Sequence, residues 1–399
     1  MHEFPPTPQA AHERLNLVEP KHYAYSRNDL NGAVSCLSPY LTHGFLSVLD
    51  VASVMYHRHR LGVQHKFMME LGWREYYQHV HQHLGEAGIA SALHEGILPE
   101  SAYHTALPED VRYACTRVPV IDQAVSTLYA TGYLHNHARL WLASYLVHLR
   151  KVHWRVAADW LYGHLLDGDL ASNYLSWQWV AGTGSHKPYL FNADNVEQFA
   201  PSAWHSRGTL LDTSYDTLDI LAHNPATLTQ TSGRNHLGMD EPPVLSAPPD
   251  GLGFTAPHAD LVVGRQVWLV HPWALADVPA DLPSDVVVVA ALWSEHLHAH
   301  PWNARRWQFV GDRMAALTPH RWWGSVPAMA AVLAQAHCVH TVSHLRLPDM
   351  PSVPWQRRAA PRLFRDLDKS CDSFSKWWVQ VNKGVRHLQQ LVYPIAPRA

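Results

Sequence analysis

Apolar positions recur at helical spacing through the first half of the chain and give way to short continuous apolar runs in the second. In HKFMMELGWREYYQHVHQHL, residues Glu70, Trp73, Arg74 and Tyr77 follow the i, i+3, i+4, i+7 rule and form one stripe, while Phe67, Leu71 and Val80 serve packing. Leu142, Tyr145, Leu146, Leu149, Val152, Val156 and Trp160 make a longer apolar stripe over two helical stretches. These lead into LLDGDLASNYLSWQW at 165–179. There Asp167-Gly168-Asp169 predicts a helix break, with the glycine free to take a positive φ and an aspartate placed to cap a new helix. On that helix Asn173 and Trp177 lie four residues apart and share a face, while Trp179 points elsewhere. Residues 206–260, rich in Thr, Ser, Pro and Gly, predict a surface linker. Beyond it QVWLVHPWAL, DVVVVAALW and CVHTVSHL read as buried parallel strands, and ARRWQFVGDRMAAL and VPAMAAVLAQAH as helices. The pattern predicts a mainly α chain: a helical domain over 1–205, a small Rossmann-like α/β unit over 261–345, and a basic helical tail over 346–399.

Composition adjusts this picture in three ways. With 399 residues, 47% of them hydrophobic, the chain is long enough for two cored domains. Seventeen tryptophans and 31 histidines are far above ordinary usage, and the aromatic surplus suits a ring-binding pocket or an electron path. A net charge of −3 advertises no wholesale phosphate binding, and the first 240 residues are acidic, with 16 Lys+Arg against 22 Asp+Glu. Nucleic-acid binding must therefore rest on a local patch, for which the tail from Trp355 is the best candidate outside the pocket. The four cysteines are dispersed and read as reduced thiols. Histidines spaced i, i+2, as at His79, His81 and His83, do not converge on one ion on a helix, so no metal is expected. No GxGxxG or GxxxxGK[ST] pattern supports a nicotinamide or nucleoside triphosphate. The N-terminus lacks a signal-peptide pattern and no apolar run is long enough to span a bilayer, so a cytoplasmic protein off the membrane is expected.

The central motif, with VPVIDQAVSTLYATGYLHNHARLWLASYLVHLRKVHW upstream and VAGTGSHKPYLFN downstream, resembles the flavin-binding region of DNA photolyases and cryptochromes. Weaker similarity runs back to about Tyr23. The resemblance implies an all-helical FAD-binding domain, with cofactor contacts at Tyr23, Ser35, Cys36, Leu37, Ser38, Arg74, Arg139, Asp167, Asp169 and Asn173. Arg139 would pair with Asp167, and Asn173 would hydrogen-bond the reducible ring nitrogen. Val34 stands where the family's phosphate loop has threonine. The motif Glu-x-x-Trp-Arg-Glu places Glu70 and Trp73 at an extruded pyrimidine dimer, which needs a flat apolar wall and a polar group for its edge. Arg27, Asn136, His137, Leu140 and Trp179 complete the implied DNA contacts. Trp177 and Trp154 match two members of an electron-transferring tryptophan chain, and Tyr103 or Tyr113 is a candidate for the third.

The resemblance thus implies a blue-light enzyme using reduced FAD to repair cyclobutane pyrimidine dimers in DNA, with single strands preferred. A cryptochrome-like FAD photoreceptor without repair is the alternative, motivated by the acidic helical half, His137, Leu140 and the missing third tryptophan. Repair of (6-4) photoproducts is disfavoured, because Asn136 and Leu140 stand where those enzymes carry histidines. Family members normally begin with an α/β antenna domain. Here the α/β unit follows the flavin region, and its pattern names no antenna pigment.

Overall fold

The computed structural model describes residues 3–185, 187–233 and 237–393, so linker residues 234–236 and the end of the basic tail lie outside the described residues. Five helices build the region around the central motif: α1 (Lys66–Ile89), α2 (Pro119–Thr131), α3 (Asn136–Ser144), α4 (Trp154–His164) and α5 (Leu170–Ala181). Between α3 and α4 the chain makes a π turn over Tyr145–Leu149 and then a left-handed residue, Lys151 at φ +52°. The buried Lys151 Nζ holds that corner, donating to the carbonyls of His148 (2.6 Å), Leu221 (3.0 Å) and Ala222 (2.9 Å). The last two acceptors belong to a helix at Tyr215–His223, so the helical half continues into the predicted linker.

The α/β unit is a five-stranded, wholly parallel sheet: β1 (Gln266–Val270), β2 (Val287–Trp293), β3 (Arg321–Gly324), β4 (Cys338–Val342) and β5 (Trp355–Arg358), in the order β3-β2-β1-β4-β5. Four of the five residues of β1 are buried, which is why it reads as an unbroken apolar run. The edge strands β3 and β5 escape the sequence reading because each spans only four residues and carries arginines and tryptophans in place of a β-branched run. With β5 included, the sheet passes the predicted boundary at 345 and reaches Arg358. Helix α6 (Ala304–Leu317) packs against the sheet, and helix α7 (Phe374–Val381) closes over α1. One apolar cluster runs through both halves, from Leu15 through Trp302 and Trp307 to Trp378. The two units therefore share a core.

Three site-building helices start on the same device. His65, His135 and His153 each accept, through Nδ1, the backbone N–H two residues on, at 3.2, 3.1 and 3.2 Å, at the starts of α1, α3 and α4. An imidazole can cap this way only while neutral. Burial lowers all three, His135 to about 4, where His137 and Arg139 add their repulsion. Because the folded pKa lies below the unfolded one, this stability is whole above about pH 6.5 and is lost as pH falls through the folded value. We expect His135→Asn, which keeps an acceptor without a proton to gain, to flatten the acid limb of thermal stability between about pH 6.5 and 4. The effect should be about 1 kcal/mol, the usual size of a helix cap. An unchanged acid limb would remove the cap from this role.

Candidate functional site

The turn between α4 and α5 concentrates the polar chemistry of the helical half. Asp167 is buried, and both its oxygens accept from Arg139 Nη2, at 2.9 and 2.8 Å. Ser38 Oγ adds a third bond at 2.5 Å, and Thr42 Oγ1 donates to the Asp167 carbonyl at 3.1 Å. The loop 35–38, the turn and α3 are thereby tied to one carboxylate, 129 residues from its most distant partner in sequence. Asp169 caps α5, accepting from Ser172 N at 2.9 Å, and receives Gln78 Nε2 at 2.9 Å with Arg74 4.0 Å away. Burial opposes ionisation of Asp169, but the Arg74 guanidinium and the bonds from Ser172 outweigh it and lower its pKa. Gly168 does not take the positive φ that the sequence suggests. Space requires it instead: a Cβ there would lie 2.5 Å from Arg306 Nη1 and 3.2 Å from the Tyr162 ring.

Asn173, buried on the inner face of α5, donates from Nδ2 to the Ala158 carbonyl at 2.8 Å. Since that carbonyl can only accept, the amide orientation is fixed and Oδ1 points away as an acceptor. Among the described residues no donor reaches Oδ1, and no acceptor reaches Arg139 Nη1. An unspent acceptor, an unspent guanidinium N–H and the hydroxyls of the serine loop form a donor set that fits FAD. Ser35 is partly exposed, whereas Cys36 and Leu37 are buried, leaving them chiefly backbone atoms to offer. Tyr23 packs edge-on against Phe67 with ring centroids 4.9 Å apart.

The outer stripe of α1 carries the residues expected at a lesion. Glu70 is paired with Lys66 at 3.0 Å and Arg27 at 3.4 Å, and all three side chains keep solvent exposure. Arg74, on the same stripe, links it to the Asp167–Asp169 turn through Thr42 (3.1 Å) and Asp169. Trp73 is half-buried, and one indole face is stacked on Phe374 of α7 at 4.1 Å and 10°. Sequence reading misses Phe374, since nothing in it ties residue 374 to residue 73. Asn136 and Trp179 are exposed and Leu140 is half-buried. His137 departs from the expectation of a DNA contact: it is buried between Trp141 and Phe199, with Nδ1 2.7 Å from the Asn28 carbonyl, so it has no face for a phosphate.

Trp177 and Trp154 are both buried, and Trp154 stands edge-on to Tyr174 at 6.0 Å. Trp154 also lines a cleft of about 630 Å³ together with Tyr103, whose ring lies 6.3 Å from His153. Tyr113 lies elsewhere, its carbonyl accepting from Met239 N. No described helix is long and apolar enough to cross a membrane.

This geometry defines a helical flavin-binding domain. Residues 67–206 match the family model described as the FAD binding domain of DNA photolyase, and over this stretch the chain is similar to photolyases and cryptochromes. A deoxyribodipyrimidine photo-lyase of Streptomyces griseus is 32% identical over 176 residues, covering 41% of this chain and 35% of that protein. A cryptochrome DASH of Oryza sativa is 30% identical over 171 residues, covering 41% and 29%. A solved Synechocystis cryptochrome aligns with a TM-score of 0.43 at 26% identity, covering 48% of this chain and 43% of that one. The chain thus spans between 29% and 43% of the length of these relatives.

Proposed function

We propose that the protein is a blue-light enzyme that repairs cyclobutane pyrimidine dimers in DNA. The observation that carries the reading is the continuity of one surface: the half-buried Trp73 and the Arg27–Glu70 pair share a helical stripe with Arg74, which is fastened to the Asp167–Asp169 turn. FAD, when bound there in its reduced form, supplies an electron under light and takes it back, so no net oxidation occurs. Arg139, Asp167 and Ser38 would hold the cofactor, and Asn173 Oδ1 would offer it an acceptor. Trp73 gives an extruded base pair a flat apolar wall, and Glu70 meets its polar edge, with Arg27 orienting that carboxylate. The acidic helical half offers little phosphate attraction to offset the cost of extruding a dimer from a duplex, so single strands are preferred. Loss of dimers from a short single strand under blue light tests the reading.

The alternative, a photoreceptor of the same fold, draws on a specific contact. Phe374 covers one face of Trp73, and the buried His137 adds nothing to a DNA surface. A protein that photoreduces bound FAD yet shows no preference for damaged DNA would be that receptor.

We assign Trp177 and Trp154 to photoreduction of the oxidised cofactor. Trp177→Phe is expected to slow photoreduction severely, because phenylalanine preserves the packing and is far harder to oxidise. Trp154→Phe should act in the same direction but less completely. Flash-absorption traces identical to wild type in both variants would remove the pair from this role.

A further inference from the structure

Behind the flavin turn, where α6 meets α4, the charges do not balance unless a tyrosine is ionised. The Arg306 guanidinium is fully buried, and no carboxylate lies within salt-bridge reach of it among the described residues. Its Nη2 donates to the Gly168 carbonyl at 2.7 Å, its Nε and Nη1 meet no acceptor, and its plane lies over the rings of Tyr162 and Trp302 at 4.9 and 4.4 Å. Arg346 approaches from the loop after β4. Its Nη1 donates to the Tyr162 hydroxyl oxygen at 2.8 Å, its Nη2 lies 2.9 Å from His296 Nδ1, and its Nε is 3.6 Å from Glu86.

Every nearby carboxylate already has a cation: Asp167 has Arg139, Asp169 has Arg74, and Glu86 has Arg346. The surrounding imidazoles, His43, His81, His296, His300 and His344, are all pushed down by burial, and an imidazole in either state supplies no negative charge. Arg306 is the remaining charge. A cation buried without a counter-charge is heavily disfavoured, and the Tyr162 phenol under the guanidinium is the one group left among these that can become an anion. The direction of its titration agrees. Burial alone would raise it, as it raises Tyr145, Tyr174 and Tyr189, yet Arg306 and Arg346 bring Tyr162 below the ordinary tyrosine range.

An anionic phenol loses an electron without first having to lose a proton. From Tyr162 a ladder of rings leads to Trp154: Tyr162 to His300 at 5.5 Å, His300 to Tyr174 at 6.4 Å, and Tyr174 to Trp154 at 6.0 Å. We propose that Tyr162 is a buried tyrosinate and the one-electron donor that refills Trp154 along this ladder. The donor role rests on the reading of Trp154 as an electron carrier. In the step, oxidised Trp154 gains one electron and the Tyr162 phenolate becomes a neutral tyrosyl radical. No bond forms or breaks, and no proton leaves.

The first arm of the test is read in the dark. The ultraviolet difference spectrum of FAD-loaded wild type minus Tyr162→Phe at neutral pH should show the long-wavelength band of a tyrosinate. Arg346→Met, which keeps Tyr162 but removes its hydrogen-bonding cation, should lose that band while retaining the folded far-ultraviolet spectrum. A difference spectrum of neutral tyrosine overturns the proposal whatever the flavin does. The second arm is photoreduction by a single flash: the flavin radical formed should persist in wild type and recombine much faster in Tyr162→Phe, with FAD content unchanged. If Tyr162→Phe behaves like wild type and Trp154→Phe does not, the donor role is wrong and the tryptophan path stands. If neither variant differs from wild type, the electron path itself is refuted, and the donor role with it.

Discussion

Replacing Arg139 with alanine is expected to yield protein that purifies almost free of FAD. The substitution leaves the buried Asp167 carboxylate with Ser38 as its remaining side-chain partner, where it now also has two bonds from Arg139. Breaking a buried ion pair from one side costs about 3–5 kcal/mol. Even half of that, at about 1.4 kcal/mol per tenfold, removes more than a decade of affinity if it falls on the liganded state. Asp167→Asn should act alike, since an amide cannot accept from Arg139 through both atoms and brings a donor toward Ser38. Flavin content by absorbance, beside a far-ultraviolet spectrum showing that the helices persist, is the check. Full occupancy in both variants would place the cofactor elsewhere.

Trp73→Ala is expected to cost about 1–3 kcal/mol of affinity for a dimer-containing strand through lost stacking, with undamaged DNA little affected. Glu70→Gln should spare FAD content and cut repair yield, because the amide keeps the shape but gives up the charge that Lys66 and Arg27 now balance. The position of Phe374 sharpens this expectation. Its ring is parallel to the Trp73 indole at 4.1 Å, so one face is already taken and a base has the other. The tail that carries Phe374 is firmly held: the buried Glu75 carboxylate accepts from the backbone of Leu363 (2.8 Å) and Phe364 (3.1 Å), and Tyr76 donates to the Cys371 carbonyl at 3.2 Å. Damaged-strand binding that is identical in wild type and Trp73→Ala would take this stripe out of DNA recognition.

How far the sequence reaches depends on how local each signal is. The stripe on α1, the Asp169 cap, the shared face of Asn173 and Trp177, and strands β1, β2 and β4 all rest on periodicity or on neighbours a few residues apart, and the structure contains them. The Arg139–Asp167 pair is legible only through family resemblance, since 28 residues separate the two. The features that escape are long-range. Arg306 and Arg346 meeting Tyr162, Phe374 on Trp73, and the role of Gly168 as a gap for Arg306 are set by the docking of the α/β unit and tail, which no spacing encodes. His137 departs from expectation for a related reason. Asn136 is exposed and Arg139 reaches Asp167, but the position of His137 on the same helix turns it into the contact with Trp141 and Phe199.

The most direct test is to load the protein with FAD, reduce it, and illuminate it with blue light in the presence of a short single strand containing one thymine dimer. The account predicts dimer loss that requires both light and reduced flavin, is weakened by Glu70→Gln, and disappears with Arg139→Ala. Bound, photoreducible FAD with no dimer lost under light would contradict it and leave the receptor reading in its place.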